Sequence, residues 1–369
     1  MGNATRNISS GVNVDPDFYF ASVVSGIVMM LMFVCSSVLS PIVLWALWKT
    51  ERFKSPIYRM IGLILFNEVL VRIFGSPLLI TSMLSVRWLY FDVGCVFYAF
   101  LMTWLGVTTT SLFTCVAIER YIIMCQPDLR HHLTVHAANI TGVICYIHGL
   151  IWAITPLLMV NGYVYEPSRL SCTPDWSHDN IGYIMGLLFV CFIMPVLTSM
   201  YCYITIYKVI RRHTIRTGFG STIDNNVAFN TAITLGTFLL SWTPYVCIAL
   251  HKTLGMEEQI NLSKEITLIP LVTAKTAGLC HPLVFGLNNS DIRNVIRSEL
   301  KHFCCQTFCI KRLSRRTSSG RLKSTAQYDR SNERLNHQEN EVTHKNNTYQ
   351  QVNKDSYEVI HSSRTSTEV

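Results

Sequence analysis

The sequence predicts an all-α membrane protein: a bundle of seven spanning helices followed by a short amphipathic eighth. Three observations carry this. Of 369 residues, 50% are hydrophobic and only 15% are charged, with a mean hydropathy of +0.30, whereas a soluble chain carries about 25% charged residues. The apolar residues come in blocks long enough for helices of about 20 residues, the length that crosses a bilayer core. The basic residues gather at one set of block ends and in the tail, so the net charge of +8 reads as membrane topology and not as a nucleic-acid surface.

The elements follow in order. Residues 1–18 begin "MGNATRNISS", which is polar and has no signal-peptide core. Arg6 stands where a myristoylation signal needs Ser or Thr. The first spanning helix is therefore expected to be its own signal anchor. Asn3 and Asn7 are glycosylation sequons. The seven spans lie at about 19–48, 57–83, 93–124, 140–160, 181–209, 227–254 and 265–288. The second carries Glu68 and Arg72, which weakens its signal without abolishing it. The loops "KTERFK", the one holding Arg130, and "KVIRRHTIR" are basic and fall on one side; "EPSRLSCTPDW" and "GMEEQIN" fall on the other. The positive-inside rule then predicts a multi-pass plasma-membrane protein with its N-terminus extracellular and its C-terminus cytoplasmic. Sequons at Asn288 and Asn346 would lie inside and mean nothing.

After residue 288, "SDIRNVIRSELKHFCC" places Ile292, Val295, Ile296, Leu300 and Phe303 on one helical face. Residues 289–305 are expected to form an amphipathic helix on the inner leaflet, with Cys304 and Cys305 as palmitoylation candidates. Residues 306–369 are polar and poor in aromatics, the composition of a disordered cytoplasmic tail. The tail holds phosphorylatable "RRTSS" and "SSRTST" and ends "STEV", where Thr367 and Val369 suit strand addition in a PDZ groove. Six of the thirteen cysteines (Cys35, Cys115, Cys145, Cys191, Cys202 and Cys247) lie inside apolar blocks and read as small hydrophobes.

Motifs distinguish among seven-helix functions. The third span holds Cys95 near one end and "ERY" (Glu119, Arg120, Tyr121) at the other; the fifth holds Pro195 and Tyr203; the sixth holds "SWTPY" with Trp242 and Pro244; the seventh holds Pro282 after His281. In this joint spacing, over residues ~18–305, the chain resembles the rhodopsin-like class A of G-protein-coupled receptors. Proline removes a backbone hydrogen bond, so kinks are expected at Pro195, Pro244 and Pro282. Arg120 has Glu119 beside it, and Asp224 before the sixth span is either a second partner or a solvated loop charge. In such a receptor Cys95 and Cys172 both lie in an oxidising compartment, and the resemblance implies a disulfide pinning the second outer loop over the bundle.

A lysine in mid-span, Lys275 in "AKTAGLCHP", costs about 2.5–3.5 kcal/mol on insertion scales. It stands six residues before His281, and "GYVYEPSRLSC" has Glu166 six residues before its cysteine. Both look like the animal opsin signature, and the unusual seventh span suggests an invertebrate, cnidarian-like, non-visual opsin. The resemblance implies that Lys275 holds 11-cis retinal as a Schiff base. A buried amine is a fitting nucleophile towards an aldehyde. The resulting cation needs an anion nearby. Tyr98 occupies the usual third-helix counterion position and is neutral at pH 7, so Glu166 is the expected counterion. Phe238, Trp242 and Tyr245 share a face of the sixth helix, and with Thr103 and Gly106 opposite they are expected to line the pocket.

The chain departs from the family at its switch positions. Glu68 stands for the usual Asp, Ser40 for the usual Asn, and "HPLVF" with His281 and Phe285 for Asn-Pro-x-x-Tyr. Glu68 has two possible partners, Arg72 one turn on and His281 across the bundle. The resemblance implies a light-activated receptor that couples through Arg120 and Tyr203 to a heterotrimeric G protein. Arrestin and a receptor kinase would act on its tail, and a PDZ protein at its end. No enzymatic activity, metal site or nucleic-acid partner is expected. Rivals are a retinal photoisomerase, a class A receptor for a diffusible ligand, and a microbial-type pump. The pump is disfavoured because "YAFLMTWLGVTTTSLF" has no paired acids.

Overall fold

A computed structural model describes residues 15–158, 162–177, 180–217, 222–254, 263–288, 292–299 and 301, with backbone only at 213–217, 222–228, 231 and 287–288. The chain falls into two compact units, residues 1–297 and 298–369. The first holds the bundle; the second lies almost wholly outside the described residues.

Seven described helices are long and apolar enough to cross a membrane: α1 Pro16–Lys49, α2 Pro56–Leu84, α3 Phe91–Cys125, α4 Val135–Leu158, α5 Ile181–Arg212, α6 Ala232–Thr253 and α7 Lys264–Gly286. A further short helix, α8, covers 292–299. Large apolar side chains such as Leu31, Val38, Val143, Ile151, Leu197 and Leu240 face outward, where lipid and not water is the fitting solvent.

Helix starts are set by caps and not by hydropathy. Asp15 accepts from the Asp17 N–H at 3.1 Å and Pro16 occupies the first helical position, so α1 begins at Pro16 and not near 19. Thr134 accepts from the Ala137 N–H at 3.1 Å, so α4 begins at Val135 and not near 140. Pro41 and Pro270 also lie inside helices, beside Pro244 and Pro282. Two π-turns, Val71–Gly75 in α2 and Phe189–Ile193 in α5, are not foreshadowed by the sequence. The second ends just before Pro195 and takes up the register change there, in place of a simple kink.

α3 and α7 are the most buried spans, α1 and α5 the least. Asn67 of α2 donates to the Leu105 carbonyl at 2.8 Å and to the Thr109 hydroxyl at 2.6 Å, tying α2 to α3. Trp104 Nε1 donates to the Tyr146 carbonyl at 3.0 Å. The backbones of α3 and α4 approach closely because residue 149 is glycine: a Cβ there would sit 2.7 Å from the Trp104 carbonyl oxygen.

α8 covers 292–299 of the expected amphipathic helix; Ile292 is buried, and Val295 and Ile296 pack on the bundle core near Leu47, Ile57 and Phe285.

Candidate functional site

Near the disulfide end, a cavity opens between α3, α5, α6 and α7. Its walls are mainly apolar, and Lys275 enters from α7. The ammonium donates to the Met102 sulfur at 3.1 Å and lies 5.9 Å from the Tyr98 ring centroid. A thioether is a weak acceptor, so the amine has no strong partner in this contact and is available for chemistry.

A hairpin closes the cavity. β1 Tyr163–Tyr165 pairs antiparallel with β2 Cys172–Pro174, with Tyr165 opposite Cys172. The Cys95–Cys172 disulfide fastens β2 to the start of α3, with the Cα atoms 5.3 Å apart. The loop between the strands is held by Trp88 N–H donating to the Arg169 carbonyl at 3.1 Å, and β1 by Tyr165 donating to Asp92 at 2.7 Å. Arg169 adopts φ 55° and so turns the chain back within six residues. Glu166 is thereby held inward, 8% exposed and lining the cavity. Its Oε1 accepts from the Tyr245 hydroxyl at 3.3 Å. The Tyr245 oxygen also lies 2.7 Å from Thr173 Oγ1, which accepts from Trp176 Nε1 at 2.8 Å. Burial raises the Glu166 carboxyl above its ordinary value, opposed by Ser171, Lys252, Tyr245 and Lys275.

The structure brings Tyr98, Thr103, Gly106, Glu166, Trp242, Tyr245 and Lys275 together on this one cavity, with Phe238 at its floor. Tyr98 is 2% exposed. Thr103 spends its hydroxyl on the Ala99 carbonyl at 2.9 Å and offers the cavity mainly a methyl. Sequence reasoning missed Met102, Thr173 and Trp176. Met102 could have been found as the residue one turn below Tyr98; the other two carry no signal of their own.

A second cavity shares Lys275, Met102 and Trp242 with the first and is lined also by residues of α1, α2 and α3. It reaches Glu68, whose two expected partners are both present. Arg72 Nη1 is 3.1 Å from Oε2, and His281 Nδ1 is 3.2 Å from Oε1. The His281 ring makes no aligned hydrogen bond in this contact. The His281 ring packs edge-on to Phe113 at 5.0 Å.

At the opposite end Glu119 and Arg120 are both buried. The Tyr121 ring lies 5.9 Å from that of Tyr201, and Tyr203 packs on the core that contains Phe285. Pro282 lies inside α7 next to His281. The Asp224 side chain and Asn3, Asn7, Cys304, Cys305, Thr367 and Val369 lie outside the described residues. Among the described residues, no group of three or more His, Cys, Asp or Glu is placed to hold a metal.

The 7 transmembrane receptor (rhodopsin family) model matches residues 41–285. The human visual pigment-like receptor peropsin is 27% identical over 284 residues, covering 73% of this chain and 82% of that protein. The melanopsin of Podarcis siculus is 24% identical over 289 residues, covering 73% of this chain and 59% of that longer protein. The crystal structure of squid rhodopsin superposes with a TM-score of 0.67 at 19% identity, over 80% of this chain and 93% of that one, which speaks for the fold.

Proposed function

The chain belongs to the rhodopsin family of seven-transmembrane receptors, and from that premise we propose that it is a light-activated opsin carrying retinal through a Schiff base on Lys275. The observation that carries the reading is the Lys275 amine in a mainly apolar cavity, with the Glu166 carboxylate held in the hairpin loop over it. When bound, retinal supplies an aldehyde for attachment, visible absorption and a light-driven change of shape.

The chain's residues divide the remaining work. Lys275 would hold retinal through its side-chain amine, whose contact with the Met102 sulfur is weak. Glu166 would balance the positive charge of a retinal linkage on Lys275, and Tyr245 orients that carboxylate. Phe238, Trp242 and Tyr245 wall the cavity along α6 and exclude water. A shape change pressing on Trp242 moves α6, whose Pro244 gives it a place to bend.

The expected readout is at the other end of the bundle. Glu119 and Arg120 become accessible to a heterotrimeric G protein when α6 swings away from α3. This orientation has the disulfide end outside the cell and the Arg120 end in the cytoplasm. The sequons at Asn3 and Asn7 would then be extracellular; Cys304, Cys305 and the phosphorylatable tail would be cytoplasmic, the tail within reach of a kinase, arrestin and a PDZ protein.

The test is to express the chain, add 11-cis retinal, and record spectra before and after light, with Lys275→Ala as control. A visible band that needs Lys275 supports the reading; its absence in the unaltered chain ends it. Light-dependent nucleotide exchange on added G proteins then separates a signalling receptor from a protein that only isomerises retinal.

A further inference from the structure

Pro282 has no N–H, so the carbonyl four residues earlier, that of Gly278, loses its helical donor. In a bilayer no water is at hand to replace it. α2 supplies the replacement. Arg72 Nη2 donates to the Gly278 carbonyl, and Arg72 Nε donates to Ser36 Oγ of α1. Arg72 Nη1 donates to the Glu68 carbonyl at 3.0 Å and to Glu68 Oε2 at 3.1 Å. One guanidinium thus links three helices, and it is 6% exposed.

The local sequence is fitted to this contact. A Cβ on residue 278 would clash with both Arg72 Nη2 and Glu68 Oε2, so only glycine lets the ion pair reach the backbone. Lys275, Gly278 and His281 follow one another at intervals of three along α7. The turn that Arg72 grips is therefore the one directly below the reactive amine, with His281 and Glu68 paired on its far side. The second cavity runs along this side of α7, from Gly278 and Arg72 up to Lys275.

We propose that Arg72 is a positioning residue: it supplies the hydrogen bond that Pro282 cannot, and so fixes the turn of α7 that presents Lys275 to the cavity. The consequence for chromophore attachment rests on the reading of Lys275 given above; the link between Arg72 and Gly278 does not. Lysine cannot take over the role, because one ammonium does not span Ser36, Glu68 and Gly278 with a planar fork.

The experiment is a double-mutant cycle on the full chain in nanodiscs, pairing Arg72→Lys with Pro282→Ala. Alanine at 282 returns an N–H to the Gly278 carbonyl and makes the arginine redundant there. Changes at Glu68 are common to both backgrounds and cancel. Two quantities are read: the unfolding midpoint of the retinal-free protein, and the rate at which hydroxylamine bleaches the Lys275-dependent band. Arg72→Lys is expected to speed bleaching about tenfold with Pro282 present and less than about threefold with Pro282→Ala. The unfolding midpoints should show the same non-additivity. Gly278→Ala, which pushes the guanidinium off the backbone, should speed bleaching as Arg72→Lys does, and it serves if the arginine variant does not fold. Equal effects of Arg72→Lys in both backgrounds, or a Gly278→Ala protein that bleaches at the unaltered rate, overturn the proposal. If the unaltered chain forms no band, the opsin reading fails by itself and the unfolding cycle alone decides this one.

Discussion

The Tyr245 hydroxyl of α6 donates to Glu166 Oε1 of the hairpin loop at 3.3 Å, across the mouth of the cavity that Lys275 enters. The bond joins the lid to the helix that carries Trp242. It also fixes where the only carboxylate lining that cavity among the described residues points.

If that carboxylate balances the charge on the Lys275 linkage, removing it should make the linkage easier to deprotonate. Glu166→Gln is expected to lower the pH midpoint at which the visible band is lost by about one unit or more, since one unit is 1.36 kcal/mol of differential interaction. Tyr245→Phe should move it in the same direction by less, because the carboxylate stays but loses an orienting donor. The check is a spectrophotometric pH titration of the three pigments. Coincident midpoints would remove Glu166 from the role.

The retinal-free protein should show the opposite face of the same residue. Burial raises the Glu166 carboxyl, so the folded state holds its proton more tightly than the unfolded chain does. Below the unfolded value, about 4.3, both states are protonated and stability is full. As pH rises through the raised folded value, the protein must ionise a desolvated group, and that part of the stability is lost. The unfolding midpoint is therefore expected to fall as pH is raised across this window, and Glu166→Gln should flatten the slope. A slope unchanged by the substitution would assign it to another group.

The close approach of α3 and α4 gives a prediction that needs no ligand. A Cβ at residue 149 meets the Trp104 carbonyl at 2.7 Å and clashes with Thr108 Oγ1. Gly149→Val should force the helices apart and cost about 1–3 kcal/mol, as overpacking of a filled core does. Gly236, with nothing within 4 Å of its Cβ position, is the matched control, and Gly236→Val should lose little beyond helix propensity. Thermal unfolding in detergent separates the two.

How far the sequence reaches depends on the kind of signal each feature leaves. Seven spans are legible because a helix in lipid must be apolar along its length, and that leaves about twenty consecutive residues of signal. The ends differ from the hydropathy edges where a cap such as Asp15 or Thr134 sets them. The π-turns are invisible because they are one-residue register changes with no compositional mark. In the site, Lys275 announces itself as a charge in mid-span, and Glu166 by its opsin-like position six residues before Cys172. Met102 does not, since a methionine in a spanning helix looks like any other apolar residue until its sulfur is found beside an amine. The α8 face reads as apolar, but the packing of Ile292 on the bundle core is not legible, since periodicity shows that a face is buried and not what buries it.

The pairing of Glu68 with His281 supplies the last test. In the sequence Glu68 has two candidate partners of equal standing, and the structure sets Arg72 and His281 on different oxygens of one carboxylate. The two contacts therefore do not compete, and His281 should retain its coupling whatever Arg72 does. His281 is fully buried against Phe113 and Phe238, where a polar contact at 3.2 Å to a buried carboxylate has weight. A cycle of Glu68→Gln and His281→Asn is expected to show a coupling of about 0.5–3 kcal/mol in unfolding free energy. Repeating the cycle with Arg72→Lys should leave that coupling within about 0.5 kcal/mol of its first value. Additive single effects would mean that the contact carries no energy. A coupling that vanishes with Arg72→Lys would mean that the three residues act as one inseparable unit, and that His281 reaches Glu68 only because the guanidinium holds the carboxylate in place.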